Sequence, residues 1–63
     1  MAATTTHQVT ITDMATKVVV YNNLVIAPAT WTTDRVLTNT EGEYRIARRA
    51  MKAALTTTAV RLA

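Results

Sequence analysis

The sequence predicts a small α+β protein, in which an antiparallel β-sheet of three or four strands with a central hairpin precedes one C-terminal amphipathic helix. Three observations predict this class. Thr, Val and Ile crowd the first half of the chain, and β-branched residues suit strands. Apolar and polar residues alternate over 6–13, as in a half-buried strand. The last third has no Gly or Pro after Gly42 and carries apolar residues at helical spacing.

The length of 63 residues allows a single domain. Within it we predict a flexible arm at 1–5, a β-rich part at 6–37 and a helix at 40–62. A chain this short hides only about 60% of the surface that its unfolded form exposes. It has no Cys for a disulfide, and His7 is its only histidine, so a metal site is not expected. We therefore expect its stability to depend on self-association or on a larger assembly.

The first strand is predicted at Thr6–Asp13, with His7 on its apolar face, and a short turn is predicted at Asp13–Thr16. Two apolar runs, Lys17–Tyr21 and Leu24–Ala27, then flank a pair of asparagines. Asn tolerates positive φ, so the pair predicts a two-residue type I′ hairpin.

Pro28 is predicted to end the strand that follows this hairpin, because proline cannot donate to a ladder. Residues 29–37 allow two interpretations. Trp31, Thr33 and Arg35 alternate with polar neighbours as an edge strand would, whereas a short helix after Pro28 is the alternative. We favour the strand.

The C-terminal helix is predicted to begin at a capping box, with Thr40 as the N-cap and Glu43 reaching back to the Thr40 amide. On a helical wheel the residues that follow form one apolar stripe. This stripe comprises Tyr44, Ala47, Met51, Ala54, Leu55, Thr58 and Leu62.

Four cations, Arg45, Arg48, Arg49 and Lys52, crowd a neighbouring stripe of the same predicted helix, and no acidic residue follows Glu43. One interpretation is a solvated basic face beside a core-facing stripe. The other is a contact with nucleic acid or with an acidic partner, because the guanidinium fork binds phosphate and carboxylate.

Several apolar residues are predicted to form a protein interface, because a short chain cannot cover both faces of its own strands. The predicted interface comprises Val18, Val20, Tyr21, Leu24, Ile26, Trp31, Tyr44, Met51 and Leu55. Trp31 is expected to act as a core or interface anchor. His7 is predicted to be a surface or edge-strand residue.

These patterns do not indicate an enzyme, because no nucleophile lies beside a base and Gly42 is the only glycine available for a phosphate loop. No cofactor or small-molecule substrate is expected. The predicted function is a structural subunit of a homo-oligomer or larger assembly, with a virus or phage particle as one setting. A small nucleic-acid-binding protein is the alternative, and a regulator that binds a host protein by strand addition is a third hypothesis.

We expect no signal peptide, because residues 1–8 have neither a positive n-region nor an apolar core, and no bilayer span, because the longest apolar stretch, Val18–Ala29, is too short and is interrupted by two asparagines. The predicted location is therefore the cytoplasm or the interior of a virion.

Overall fold

A computed structural model describes residues 3–62 of the chain and confirms the α+β class. Three antiparallel strands form one open sheet in the order β2-β1-β3, so that β1 is the central strand. The elements along the chain are β1 (Thr4–Asp13), β2 (Val18–Pro28), α1 (Thr33–Arg48) and β3 (Leu55–Arg61).

The alternation predicted for the first strand is confirmed, since every second side chain of β1 from Thr5 to Ile11 is buried. The strand also begins earlier than expected. Thr4 and Thr5 belong to it and pair with Pro28 and Ala27 of β2. The prediction of a flexible arm is therefore wrong for these two residues. Residues 1 and 2, where the arm was also predicted, lie outside the described residues.

The turn predicted after the first strand is confirmed, and it joins β1 to β2 as a hairpin. Asp13 organises it, because the Ala15 amide donates to Asp13 Oδ1 at 2.8 Å and the Lys17 amide donates to the Asp13 carbonyl at 2.7 Å. Lys17 takes a left-handed conformation with φ of 62°. This conformation turns the chain back into β2.

The predicted type I′ hairpin at Asn22–Asn23 is wrong, because β2 continues through both residues. β1 pairs with β2 from Thr4↔Pro28 to Asp13↔Val18. A turn at the asparagines would remove half of these ladder hydrogen bonds, and an unpaired buried backbone group costs free energy. Long-range pairing therefore overrides the local turn preference of Asn.

The strand favoured for residues 29–37 is also wrong, and the helical alternative is confirmed from Thr33 onward. Thr32 is the true N-cap, since its Oγ1 accepts a hydrogen bond from the Arg35 amide at 3.1 Å. Asp34 lies in the first turn, where the helix dipole favours negative charge. Thr40, the predicted N-cap, is buried in the middle of α1.

The predicted extension of the helix to residue 62 is wrong, because α1 ends at Arg48. Arg49 adopts the left-handed conformation there, and its amide donates to the Ile46 carbonyl at 3.4 Å. The Ala50 amide donates to the Arg45 carbonyl at 2.8 Å. These two bonds form a Schellman motif, which satisfies carbonyls of the last turn.

Beyond this motif the predicted helical stripe is broken up. Met51 and Ala54 lie in the connection, and Leu55 and Thr58 lie in β3. β3 pairs antiparallel with β1 from His7↔Arg61 to Asp13↔Leu55. Its β-branched residues favour the strand over the helix, because two branches on Cβ restrict χ1 against a helical turn.

The helix packs on one face of the sheet, mainly against β3 and β1. Among the described residues, the buried apolar side chains are only Val9, Ile11, Ala27 and Val36. Half-buried Tyr21, Val25, Trp31 and Ala59 pack around this centre. The core is therefore thin, and nothing in the described chain covers the opposite face of the sheet.

Candidate protein interface

The face of the sheet opposite α1 is the candidate functional surface, and we call it the open face. Residues that pair directly across an antiparallel ladder point to the same side of the sheet. The open face therefore contains the β1 residues that alternate with the buried ones. It also contains the residues of β2 and β3 that pair with them. The open face comprises Thr6, Gln8, Thr10, Thr12, Val19, Asn22, Leu24, Ile26, Thr56, Thr58, Val60 and Leu62.

One end of the open face carries a band of four large apolar side chains. Thr6 lies between Ile26 and Leu62, because it pairs with Ile26 and its carbonyl accepts from the Leu62 amide at 2.8 Å. Two residues further along β1, on the same face, Gln8 lies between Leu24 and Val60. The exposed fractions of the four apolar residues are 60% for Leu24, 70% for Ile26, 59% for Val60 and 57% for Leu62. This set is the apolar band.

Apart from Val19, the rest of the open face is polar, and none of it is charged. Thr10, Thr56 and Thr58 occupy its middle and far end, and the Gln8 side-chain amide donates a hydrogen bond to Asn22 Oδ1. All residues assigned to the open face are uncharged, although the chain carries a formal net charge of +3. A surface of this composition favours contact with another neutral, apolar surface.

The outer edge of β2 is the second part of the candidate interface, since β2 has a ladder partner on one side only. Val18 and Val19 are exposed at its start, and Val20 is half-buried where the register shifts opposite Ile11 and Thr12. The predicted interface residues Val18, Val20, Leu24 and Ile26 therefore lie together on this one strand.

The predicted aromatic interface residues lie on the helix side of the sheet instead. Tyr21 and Tyr44 are half-buried and meet edge to face, with ring centroids 6.3 Å apart. Trp31 is half-buried against the core, and the Arg35 guanidinium lies 4.2 Å from the centre of its ring. These three side chains pack mainly inside the chain.

A groove of about 290 Å³ runs between β2 and α1. Tyr21, Val25 and Trp31 line it from the sheet and the connection, and Val36 and Thr40 line it from the helix. The groove exists because α1 leans toward β3 and leaves the helix-facing side of β2 partly uncovered.

The last two predicted interface residues are not brought to these surfaces. Met51 is exposed in the connection that follows α1, where its carbonyl accepts a hydrogen bond from Arg45 Nη1. Leu55 is half-buried at the start of β3 and pairs with Asp13 on the helix-facing side.

Arg45, one of the four predicted nucleic-acid or acidic-partner residues, is engaged within the chain. Its Nη1 donates to the carbonyls of Ala50 at 2.9 Å, Met51 at 3.2 Å and Ala53 at 2.9 Å. Its Nε donates to Glu41 Oε2 at 3.4 Å. Arg45 therefore holds the connection that leads from α1 to β3.

Glu41 extends this network to the sheet, because Thr57 Oγ1 of β3 donates to Glu41 Oε1 at 2.6 Å. One half-buried carboxylate thus links the helix, the connection and the edge strand. A charge-assisted hydrogen bond of this kind is stronger than one between neutral groups.

The other three predicted cations, Arg48, Arg49 and Lys52, are exposed around the end of α1. They do not share one helical stripe, because Arg49 is the left-handed cap and Lys52 lies beyond it. Nucleic-acid binding through these residues stays a prediction. Its test must spare Arg45, since loss of Arg45 would also disturb the fold.

His7 was predicted at the surface or on an edge strand, and this prediction is wrong. It lies on the central strand and is 1% exposed, with its Nε2 3.4 Å from Thr33 Oγ1. Its Nδ1 has no hydrogen-bond partner among residues 3–62. Alternation alone placed His7 beside Val9 and Ile11 on the buried face, so the signal for its burial was present.

The predicted interface did not include Val60 or Leu62, because the strand that brings them beside Leu24 and Ile26 was assigned to a helix. The available signal was the β-branched run at 56–58, with a further β-branched residue at Val60. Such a run is typical of a strand.

Within residues 3–62, no helix combines the length and the apolar character needed to cross a membrane. The same residues contain no group of three or more His, Cys, Asp or Glu side chains placed to hold a metal ion. Comparison of the chain with known protein families, with curated proteins and with solved structures finds no match.

Proposed function

We propose that this chain is a non-enzymatic structural subunit that assembles with further copies of itself through the open face. The observation that carries the proposal is the apolar band, formed by Leu24, Ile26, Val60 and Leu62 on a sheet that has a helix on one side only. A contiguous exposed apolar patch is typical of a protein contact surface.

The thin core supports the proposal. Within residues 3–62, four buried apolar residues, one of them alanine, leave little apolar area to oppose the loss of chain entropy on folding. The accessible surface of the chain is 4528 Å², whereas a compact protein of 6.9 kDa exposes about 4,000 Å². The chain therefore exposes about 500 Å² more than a compact protein of its size.

Packing of the open face against the open face of a second copy would remove much of this surplus. Two sheets stack about 10 Å apart when their inner faces interdigitate. Because the open face is uncharged, two copies can approach there without bringing their net positive charges together. A virus or phage particle is one setting in which so small a chain meets many copies of itself.

Replacement of Val60 by lysine should weaken self-association by at least about tenfold, because a valine is worth about 1.5 kcal/mol when buried and the new charge resists desolvation. The measurement is sedimentation equilibrium over a concentration series. Val60 is chosen because it lies on β3, away from the free edge of β2.

Ile46→Lys is the matched control, since Ile46 is also a β-branched residue and is 71% exposed, but lies on α1. It should leave self-association unchanged. The proposed role of the open face would be contradicted if the two substitutions weakened self-association equally, or if neither of them weakened it.

A further inference from the structure

The free edge of β2 is long and unprotected. Natural sheets protect their edges with charged side chains, prolines, bulges or very short strands. β2 has eleven residues and no charge; its register shift lies near one end and Pro28 is at the other. Residues 21–27 between them carry none of these devices. β3, the other edge, has seven residues and ends at Arg61.

The groove beside β2 leaves room for another strand on the helix side. Tyr21 and Val25 point to this side and are only half-buried, because α1 packs mainly on β1 and β3. A strand added to the edge of β2 would place its own helix-facing side chains next to Tyr21 and Val25. It would also extend the open face by one strand on the other side.

We infer that β2 pairs antiparallel with β2 of a second copy, so that two three-stranded sheets join into one sheet of six strands. This inference deepens the proposed self-assembly and rests on it. A two-fold contact must be self-complementary, and an uncharged edge meets this condition in a chain with a net charge of +3. Like charges directly opposite each other would be destabilising.

The register follows from the length of the strand. Asn23 is the middle residue of Val18–Pro28, so the pairing that puts Asn23 opposite its own copy aligns the whole strand. Tyr21 then lies opposite Val25 of the second copy on the helix side. Aromatic and β-branched side chains form favourable cross-strand pairs.

The area adds a second reason for a copy of this chain as the partner. A stable interface buries about 800 Å² on each side, which exceeds what the apolar band alone offers. Edge pairing joins two apolar bands on one continuous face and fills two grooves at once. The edge and the open face together therefore form a larger contact than either alone.

Single-cysteine cross-linking tests the edge contact, because the natural chain contains no Cys. Asn23→Cys places a thiol at the two-fold axis, where opposite Cα atoms are about 4.5–5.5 Å apart, and a disulfide accepts this range. Arg61→Cys is the matched control on β3, the other edge, because Arg61 is exposed and pairs with His7, and it therefore faces the helix side as Asn23 does opposite Val9. Under mild oxidation Asn23→Cys should form covalent dimer at least about tenfold faster than Arg61→Cys.

Equal rates, or faster cross-linking through Arg61→Cys, would overturn the edge contact. If either reduced variant unfolds more readily than the natural chain, amide hydrogen exchange on the unsubstituted chain replaces the comparison. The β2 amides that do not bond to β1 should then be protected in the oligomer, and their free exchange would overturn the contact.

The failure of the edge contact can be told apart from the failure of the proposed function. Self-association that Val60→Lys weakens, without cross-linking through Asn23→Cys, would overturn the edge contact and leave the open face as the interface. A chain that sediments as a monomer in every variant would overturn both.

Discussion

Ile11→Ala is expected to unfold much of the protein at 25 °C. Ile11 is fully buried on the central strand, between Tyr21 of β2 and Thr57 of β3. Truncation of a buried isoleucine to alanine costs about 2–5 kcal/mol, because the transfer free energy is lost and a cavity remains. A core of this size supplies no more than about 3–5 kcal/mol of stability, so one substitution can consume most of it.

Urea unfolding followed by circular dichroism measures this effect at a fixed chain concentration. Ile46→Ala removes the same atoms from a largely exposed isoleucine on α1, and it should change the free energy of unfolding by less than about 0.5 kcal/mol. Similar costs for the two substitutions would mean that Ile11 does not belong to the buried core.

Arg45→Met is expected to lower the free energy of unfolding by about 2 kcal/mol. Methionine keeps the unbranched stem but removes the donors to the carbonyls of Ala50, Met51 and Ala53. It also leaves Glu41 with Thr57 as its remaining partner. The part-buried carbonyls of Ala50 and Ala53 that lose a charged donor must find water or rearrange, and the connection to β3 should loosen.

Arg48→Met is the control for Arg45→Met, because Arg48 is exposed in the same last turn. It should change stability by less than about 0.5 kcal/mol. Trypsin cleavage in the connection gives a second measurement, since Arg49 and Lys52 lie there and a looser connection should be cut faster in Arg45→Met. Equal stability and equal cleavage in the two variants would contradict the role given to Arg45.

The first strand could be predicted from the sequence because its signal is local. Alternation of His7, Val9 and Ile11 with polar residues is sufficient to define a buried face. The fold class could be predicted for a similar reason, since some parts of the chain are rich in β-branched residues and another part is rich in helix formers. Both inferences need no knowledge of which strands pair.

The position of the helix could not be predicted, because two competing starts have the same local chemistry. Thr32 and Thr40 each precede residues that suit a first turn, and Thr40 also matches a capping box with Glu43. The tertiary contact decides between them: Val36 and Thr40 are buried only if the helix begins at Thr33. Packing of a buried helix face outweighs intrinsic propensity.

The candidate interface was predicted in part. Leu24 and Ile26 could be chosen because an apolar strand in so short a chain lacks cover on one side. Val60 and Leu62 join them only through the register of β3 on β1. Register is a long-range property, and a single sequence with an ambiguous period does not determine it.

The mass of the natural chain in solution tests the central claim most directly. Sedimentation equilibrium from low micromolar to near-millimolar concentration should give masses that are multiples of 6.9 kDa, with a thermal midpoint that rises with concentration. A monomer of 6.9 kDa throughout this range, with a cooperative transition independent of concentration, would contradict it.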